Sequence, residues 1–504
     1  VPGAYSEANR PRRPGSYFNF VARPEVRVAP AIGSVVAVPI IHTWGPENSV
    51  VQVGSLGEFD AIYGNYLSAG RNAVQMAFRG EDLDGVLGAG AVMVYRMVAS
   101  GGAKATRILT NTTPATAITL SGRYKGTKGN DLKVTVQDYA ADAAKTELIL
   151  YDGSVEVERY VYADTDINDL GAQINGTGVY AGTGSDWVTA VVAISGTALT
   201  IVTSVSLTGG NDGSTLVSGD WTTMSTALEV QRFSLFAPYD LTDSSIVASL
   251  KLWAVNMNKN GKHFISVFGG ALNEDVATAI TRSAALNSIP SGESQSFGDL
   301  FVNLGVGSVE DSLMLDASSL PTVLSTSQLA PRLAGILAAR GEAMSITMAR
   351  MRGLKMLAGP TEGDILKGYD GGVVVLARDS DIDAPVHVEK GLTTYISRTN
   401  PDKPYKLFSN PKYIRTMHGY ETELNDYWAR NGIGKLPVND KTREAVVGRA
   451  QQALRAREAA GVIQPGWTVV IASNPSDDDE FVETVTGWAF GRSLEQIFFK
   501  TIIR

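Results

Sequence analysis

Ala91-Val92-Met93-Val94-Tyr95-Arg96-Met97-Val98-Ala99 is the most apolar short run in the chain. It is interrupted by Arg96 and falls far short of the roughly 18 apolar residues that cross a bilayer. It therefore reads as a buried strand. Upstream, Val35 to Ile41 has the same continuous apolar character, which suits a strand covered on both faces. Between the two lie a capping-box start at Ser55-Leu56-Gly57-Glu58 and a helical stretch around Asn72 to Arg79. Strand, helix, helix, strand is an α/β pattern.

Just past this strand the composition changes. No Lys or Arg occurs between Arg159 and Arg232, while Thr, Ser, Gly and Val dominate. Alternating segments at Thr116 to Leu120, Leu132 to Gln137, Leu148 to Leu150 and Ala198 to Val202 are separated by Gly/Asn/Asp turns, which is a β-rich pattern. One helix interrupts it, with Ile167, Leu170 and Ile174 on a single face. Residues 103–228 thus read as a β-rich, barrel- or sandwich-like insertion into an α/β core of residues 25–102 and 229–389. The core resumes at Phe233 to Phe236, with a helix at Leu250 to Met257 and a strand at His263 to Phe268. A helix from Gln328 to Ala339 follows, N-capped by Ser327, with Leu333, Ile336 and Leu337 turned inward, and then a buried strand at Gly372 to Ala377. Residues 390–504 form a C-terminal α/β region. It holds a helix near Lys441 to Ala460 and strands near Thr468 to Ala472, Phe481 to Thr486 and Ile497 to Ile503. Residues 1–24 are a Pro-, Arg- and aromatic-rich extended arm, because Pro2, Pro11 and Pro14 disfavour helix.

With 504 residues, two to four domains are expected. The net charge of −8 argues against a nucleic-acid binder, which needs a dense cationic face to displace counterions from phosphate. Zero cysteines exclude disulfides, thiolate nucleophiles and Cys-ligated metals. The first residues lack the charge, apolar run and cleavage site of a signal peptide, so the product is expected to stay in the cytoplasm unless released by lysis or a leaderless route.

No template for chemistry is complete. Gly122-Arg123-Tyr124-Lys125-Gly126-Thr127-Lys128 lacks the ending of a phosphate-binding loop, and the pairs Gly182/Gly184, Gly305/Gly307 and Gly432/Gly434 lack the third glycine of a dinucleotide fingerprint. Gly491-Arg492-Ser493 fails as a nucleophile elbow because Glu495 replaces the second glycine. His42, His263, His387 and His418 are scattered, and none forms a neighbouring metal pair. Asp164-Thr165-Asp166-Ile167-Asn168 starts like a calcium loop but carries Asp169 and Asn175 where Gly and Glu are needed. Asp477-Asp478-Asp479-Glu480 reads as a charged hairpin tip. Neither a catalytic residue, a metal site nor a cofactor is expected.

Several short stretches, in order, resemble the contractile tail-sheath family. They are Pro14-Gly15-Ser16-Tyr17-Phe18-Asn19-Phe20, Trp44-Gly45-Pro46-Glu47-Asn48, and Ser55-Leu56-Gly57-Glu58-Phe59 with Tyr63-Gly64. Val94-Tyr95-Arg96-Met97 and Gly126-Thr127-Lys128-Gly129-Asn130-Asp131-Leu132 follow, then Leu207-Thr208-Gly209-Gly210-Asn211-Asp212-Gly213. The remainder are Ala334-Gly335-Ile336-Leu337-Ala338, Gly434-Lys435 with Asn439-Asp440, and the closing Gly491 to Arg504. Each is weak singly; their order along nearly the whole chain carries the likeness. In the arm, Pro2-Gly3-Ala4-Tyr5 partly duplicates the opening motif.

The resemblance implies a structural subunit that polymerises into stacked six-membered rings around a tail tube and contracts when a baseplate triggers it. Its partners would be itself, the tube, baseplate and tail terminator proteins. Nucleic acid, membrane insertion and cofactors are not implied. Its place would be a virion tail or phage-tail-like particle, assembled in the bacterial host cytoplasm. A surface-layer or adhesin-like protein, or an α/β enzyme with a β-rich insertion, are the rival readings.

Two sets of residues follow. The C-terminal strand has apolar side chains on both faces, so Ile497, Phe498, Phe499, Ile502 and Ile503, with Tyr17, Phe18, Asn19, Phe20 and Val21 of the arm, are expected to add strands to a neighbouring subunit. The helix near Lys441 to Ala460 has an apolar stripe of Val446, Val447, Ala450, Ala453 and Leu454. It is basic within an acidic chain, so Lys441, Arg449 and Arg455 are expected to face the tube, the family's C-terminal region lying innermost.

Overall fold

The computed structural model describes residues 3–4, 17–18, 34–81, 88–288, 301–315, 318, 320–378, 385–399, 405–474 and 477–491. The chain is mixed α/β with several sheets. Among the described residues its helices are α1 (Leu56–Tyr63), α2 (Ala69–Arg79), α3 (Ile167–Asn175), α4 (Ser218–Glu229), α5 (Ser244–Lys259), α6 (Val276–Asn287), α7 (Thr326–Arg340), α8 (Glu362–Asp370), α9 (Tyr405–Phe408), α10 (Pro411–Asn431) and α11 (Asp440–Ala459).

A nine-stranded sheet forms the body. Its central strands Val374–Ala377, Val302–Gly305, Ile265–Gly269, Leu235–Phe236, Val35–Ile40 and Ala91–Arg96 are parallel to one another. Antiparallel strands close both ends: Val50–Val53 beside Ala91–Arg96 at one, and at the other Val386–Val388 beside Val374–Ala377 with Arg350–Met351 outermost. Every residue of Val35–Ile40 and of Ala91–Arg96 is buried, because helices cover both faces of a parallel sheet. One face packs Val36, Val38, Val92 and Val94 against α2 and α7. The other packs Val35, Ala37, Met93 and Tyr95 against α4 and α5.

The α1 start carries half of the expected capping box: Ser55 accepts from the Glu58 amide, but the Glu58 carboxylate reaches the Gly54 amide instead of closing on Ser55. At α7 the cap is Ser325, not Ser327. Ser325 and Gln328 form a complete capping box, and Ser327 sits inside the helix with its hydroxyl on Asp240. Leu333, Ile336 and Leu337 are buried, as is nearly every residue from Thr326 to Ala338. The helix therefore lies between sheet and α2, where a Cβ on Gly335 would stand 2.2 Å from the Ala77 carbonyl oxygen.

Residues 106–206 hold two antiparallel sheets. One has the order Val155–Ala163, Lys145–Asp152, Leu132–Asp138, Val202–Ser206, and the other Val188–Val192, Thr116–Gly122, Thr106–Thr110. The helix α3 packs its fully buried Ile167, Leu170 and Ile174 into their shared core, with Asp166 of the calcium-like stretch as N-cap. Two sequence expectations shift here. The last strand is Val202–Ser206 and not Ala198 to Val202, where Leu199 makes only a single bridge to Asn111. The Ser/Thr-rich stretch near residue 220 is helical: α4 buries Trp221, Met224 and Leu228 in the body's core.

The chain's C-terminal described part is α10 and α11 with the hairpin Thr468–Asn474/Asp477–Thr486. Asp477 to Glu480 belong to the returning strand of that hairpin. In the arm, Gly3–Ala4 and Tyr17–Phe18 form a two-residue parallel pair.

Candidate assembly surfaces

The helices α10 and α11 make the platform for the hairpin. Ala450, Ala453 and Leu454 of α11 are buried against Tyr420 and Leu424 of α10, while Val446 and Val447 are half-buried at the edge of the stripe. Among the described residues the two hairpin strands pair only with each other, so each keeps one unpaired backbone edge. Such edges are templates for an added strand. Beside the hairpin runs a groove of about 560 Å³ lined by Leu424, Trp428, Val446, Ile471, Trp488 and Phe490 among others. Tyr420 crosses its floor, its ring edge-on to Trp488 at 4.9 Å and its hydroxyl donating to Glu483 at 2.6 Å. Burial and that carboxylate push the phenol's pKa upward, so it stays a donor.

The three expected tube-facing residues divide. Lys441 and Arg455 are exposed on α11. Arg449 is held inside the chain, with its guanidinium 2.6 Å from Glu423 and over the Tyr427 ring at 4.6 Å. Arg457, one of the basic residues of the same helix, is buried and bridges Glu423 at 2.8 Å and Glu342 at 3.0 Å. Arg443 pairs with Asp440 in the first turn. Three of the five basic residues of the helix, Arg443, Arg449 and Arg457, are thus engaged in ion pairs within the chain, which helical periodicity alone does not reveal. Of the expected strand-exchange residues, Tyr17 and Phe18 lie in the short parallel pair. Asn19, Phe20, Val21, Ile497, Phe498, Phe499, Ile502 and Ile503 lie outside the described residues.

The histidines have structural surroundings. His42 is buried, with ring nitrogens 2.6 Å from Ser68 Oγ and 2.8 Å from the Tyr63 carbonyl oxygen. Burial lowers its pKa to about 4, and Ser68 is occupied as the α2 cap, so the pair braces a turn. His387 lies 3.1 Å from Glu389. His263 and His418, far apart in sequence, stack on one another. No cluster of three or more metal-ligating side chains occurs among the described residues, and no described helix is long and apolar enough to cross a membrane.

A second feature absent from the sequence reading is the joint between body and β-rich part. Trp44, on the loop after Val35–Ile40, inserts into the β-rich core, stacked on Trp187 at 5.8 Å and edge-on to Tyr124 at 5.4 Å. Beneath it Arg96 is fully buried. Its Nε donates to the His42 carbonyl, Nη1 to that of Gly45 and Nη2 to that of Lys125, each at 2.7 Å. Gly126 (φ +134°) lets the backbones meet, since a Cβ there would lie 2.0 Å from the Thr43 carbonyl oxygen.

A body of parallel sheet between helices, a β-rich part locked to it, and a helix-borne hairpin with open edges define a multi-sheet building block. No family model matches the chain. Two relatives from Bacillus subtilis (strain 168) match in part. The protein YqbK is 25% identical over 305 residues, 56% of this chain and 61% of YqbK. The phage-like element PBSX protein XkdK is 25% identical over 242 residues, 47% of each chain. The chain thus spans about half to three fifths of the length of the curated relatives it matches. Among solved structures, the sheath tail protein of Desulfitobacterium hafniense superimposes with a TM-score of 0.67 at 18% identity, covering 94% of this chain and 99% of that one. The sheath tail protein Lin1278 of Listeria innocua gives 0.67 at 18%, covering 93% and 94%. The helical sheath of the anti-feeding prophage in its contracted state gives 0.52 at 13%, covering 97% and 98%. The fold is that of contractile tail sheath proteins.

Proposed function

We propose that this chain is a sheath subunit that polymerises into stacked hexameric rings around a tail tube and contracts to drive the tube through a cell envelope. The observation that carries the reading is the correspondence with sheath proteins over almost the full length of both chains. The sheath likeness supports a structural rather than an enzymatic role.

In this reading residues 25–102 with 229–389 are the core, 103–228 an outward β-rich domain, 390–504 the inner domain and 1–24 a linking arm. The open hairpin edges accept the arm (Tyr17 to Val21) and the C-terminal strand (Ile497 to Ile503) of neighbouring subunits. Ordering an arm costs about 1–2 kcal/mol per residue. Each buried Phe returns about 1.5–3 kcal/mol and each ladder hydrogen bond about 0.5–1.5. A single joint is therefore marginal, and many joints make the particle persist. Tube protein, baseplate and terminator are the partners, in a virion tail or phage-tail-like particle assembled in the host cytoplasm.

The test is electron microscopy of purified full-length chain and of a chain lacking residues 1–22. Tubes from the first and a folded, non-polymerising second support the proposal; unchanged tubes from the truncation refute strand exchange, and a compact monomer from both refutes the sheath role.

A further inference from the structure

A wide groove of about 1180 Å³ separates the body from the platform of α10 and α11, and the stacked histidines stand in its wall. His263 comes from the turn between α5 and the strand Ile265–Gly269, and His418 from α10. Their ring centroids are 4.9 Å apart and the planes 20° from parallel. His263 Nε2 is 2.9 Å from a carboxylate oxygen of Glu421 on α10, and its Nδ1 is 3.4 Å from Asn258 Oδ1 on α5. His418 is 7% exposed, and its Nε2 has no hydrogen-bond partner.

The charged groups around the pair come from every element of the wall. From α10 come Arg415, Glu421, Glu423, Asp426 and Arg430, and from α11 Arg449 and Arg457; the body supplies Arg232, Lys262 and Glu342. Most are already engaged. Arg415 donates to the carbonyls of Leu337 and Gly341, and Arg232 pairs with Asp426. Lys262 donates to the Glu229 carbonyl, and Arg457 and Arg449 clasp Glu423. Glu421 sits against the His263 ring. Among the described residues no ion pair joins a carboxylate to His418, and both His263 and Arg415 act to lower its pKa.

We propose that His263, His418 and Glu421 form an acid-opened clasp between the body and the C-terminal helices, closed while the buried His418 ring is neutral. A positive charge on the His418 ring, buried and with its Nε2 unpartnered, has nothing to meet it. Burial, then His263 and Arg415, hold His418 down to about 3 from an ordinary 6.5. A base lowered in the closed state binds protons more readily once open, so the closed state is fully favoured above 6.5 and is lost progressively as pH falls toward about 3. With those two values the opening equilibrium rises about 30-fold between pH 8 and pH 5. The clasp does not depend on the sheath reading.

The experiment is hydrogen exchange on the full chain at pH 8 and pH 5, corrected for intrinsic exchange chemistry. Peptides covering residues 411–431 should lose protection about 30-fold relative to those of Val35–Ile40. His418→Phe, which keeps a stacked ring, should abolish the pH-dependent part, and His263→Phe should reduce it. Glu342, raised by burial, also takes up protons on acidification, so Glu342→Gln is the control and should leave the effect intact. Acid-independent protection in the unmodified protein overturns the proposal whether or not the variants fold. So does an undiminished effect in His418→Phe, or its loss in Glu342→Gln alone.

Discussion

Arg96→Met tests the joint between body and β-rich part. Methionine keeps an unbranched apolar stem, so packing around Tyr95 and Met97 changes little, but three carbonyls lose their donor at once. Hydrogen bonds to a charged donor contribute about 1.5–3 kcal/mol each. Against that gross sum stands the relief of desolvating a guanidinium whose pKa burial already pulls down. Removing one partner of a buried charged network costs about 3–5 kcal/mol net. Glu47, 3.7 Å from the guanidinium, loses its counter-charge as well. With a urea slope of about 2 kcal/mol/M, a loss of roughly 4 kcal/mol lowers the midpoint by about 2 M. Trp44 and Trp187, stacked across the joint, report the transition by fluorescence. Arg96→Lys should recover little, because one ammonium cannot span carbonyls placed for a planar fork. A midpoint within about 0.5 M of the parent for Arg96→Met would show that the three hydrogen bonds carry no net stability, and the account of the joint would fall.

Gly335→Ala drives a methyl into the Ala77 carbonyl, and α7 is enclosed on all sides. A loss of about 1–3 kcal/mol is expected in thermal or urea unfolding, and an unchanged Tm would mean that α2 and α7 can separate freely. Lys441→Glu with Arg455→Glu should weaken sedimentation with tube protein in a salt-dependent way while leaving the melting temperature nearly unchanged; copolymerisation at all salt concentrations would remove this face from tube contact. Arg449→Glu, in contrast, should destabilise the subunit itself, because it sets two carboxylates against each other at Glu423. Equal melting temperatures for Arg449→Glu and the exposed pair would contradict its internal role.

The sequence alone determined the elements whose side chains repeat with one period over several residues. Val35–Ile40 and Ala91–Arg96 are apolar without interruption by more than one polar residue, and only a doubly covered strand satisfies that. Ile167, Leu170 and Ile174 mark a helix face, and the Ser55 cap lies three residues from the amide it satisfies. The ordered short motifs also carried the likeness to sheath proteins, since order along a chain survives when identity falls to 18%. Tertiary structure decided everything set by partners distant in the chain. The Ser/Thr-rich α4 is a helix because Trp221, Met224 and Leu228 find the core beside α5, where burial outweighs a weak local preference. Arg449 and Arg457 are internal because α10 presents Glu423 to them, and Arg96 is buried because a loop and the β-rich part together offer three carbonyls. His263 meets His418 only because α10 packs beside the turn that follows α5. Propensity acts over a few residues, whereas these charge and ring pairings follow from which helices and loops the topology sets side by side.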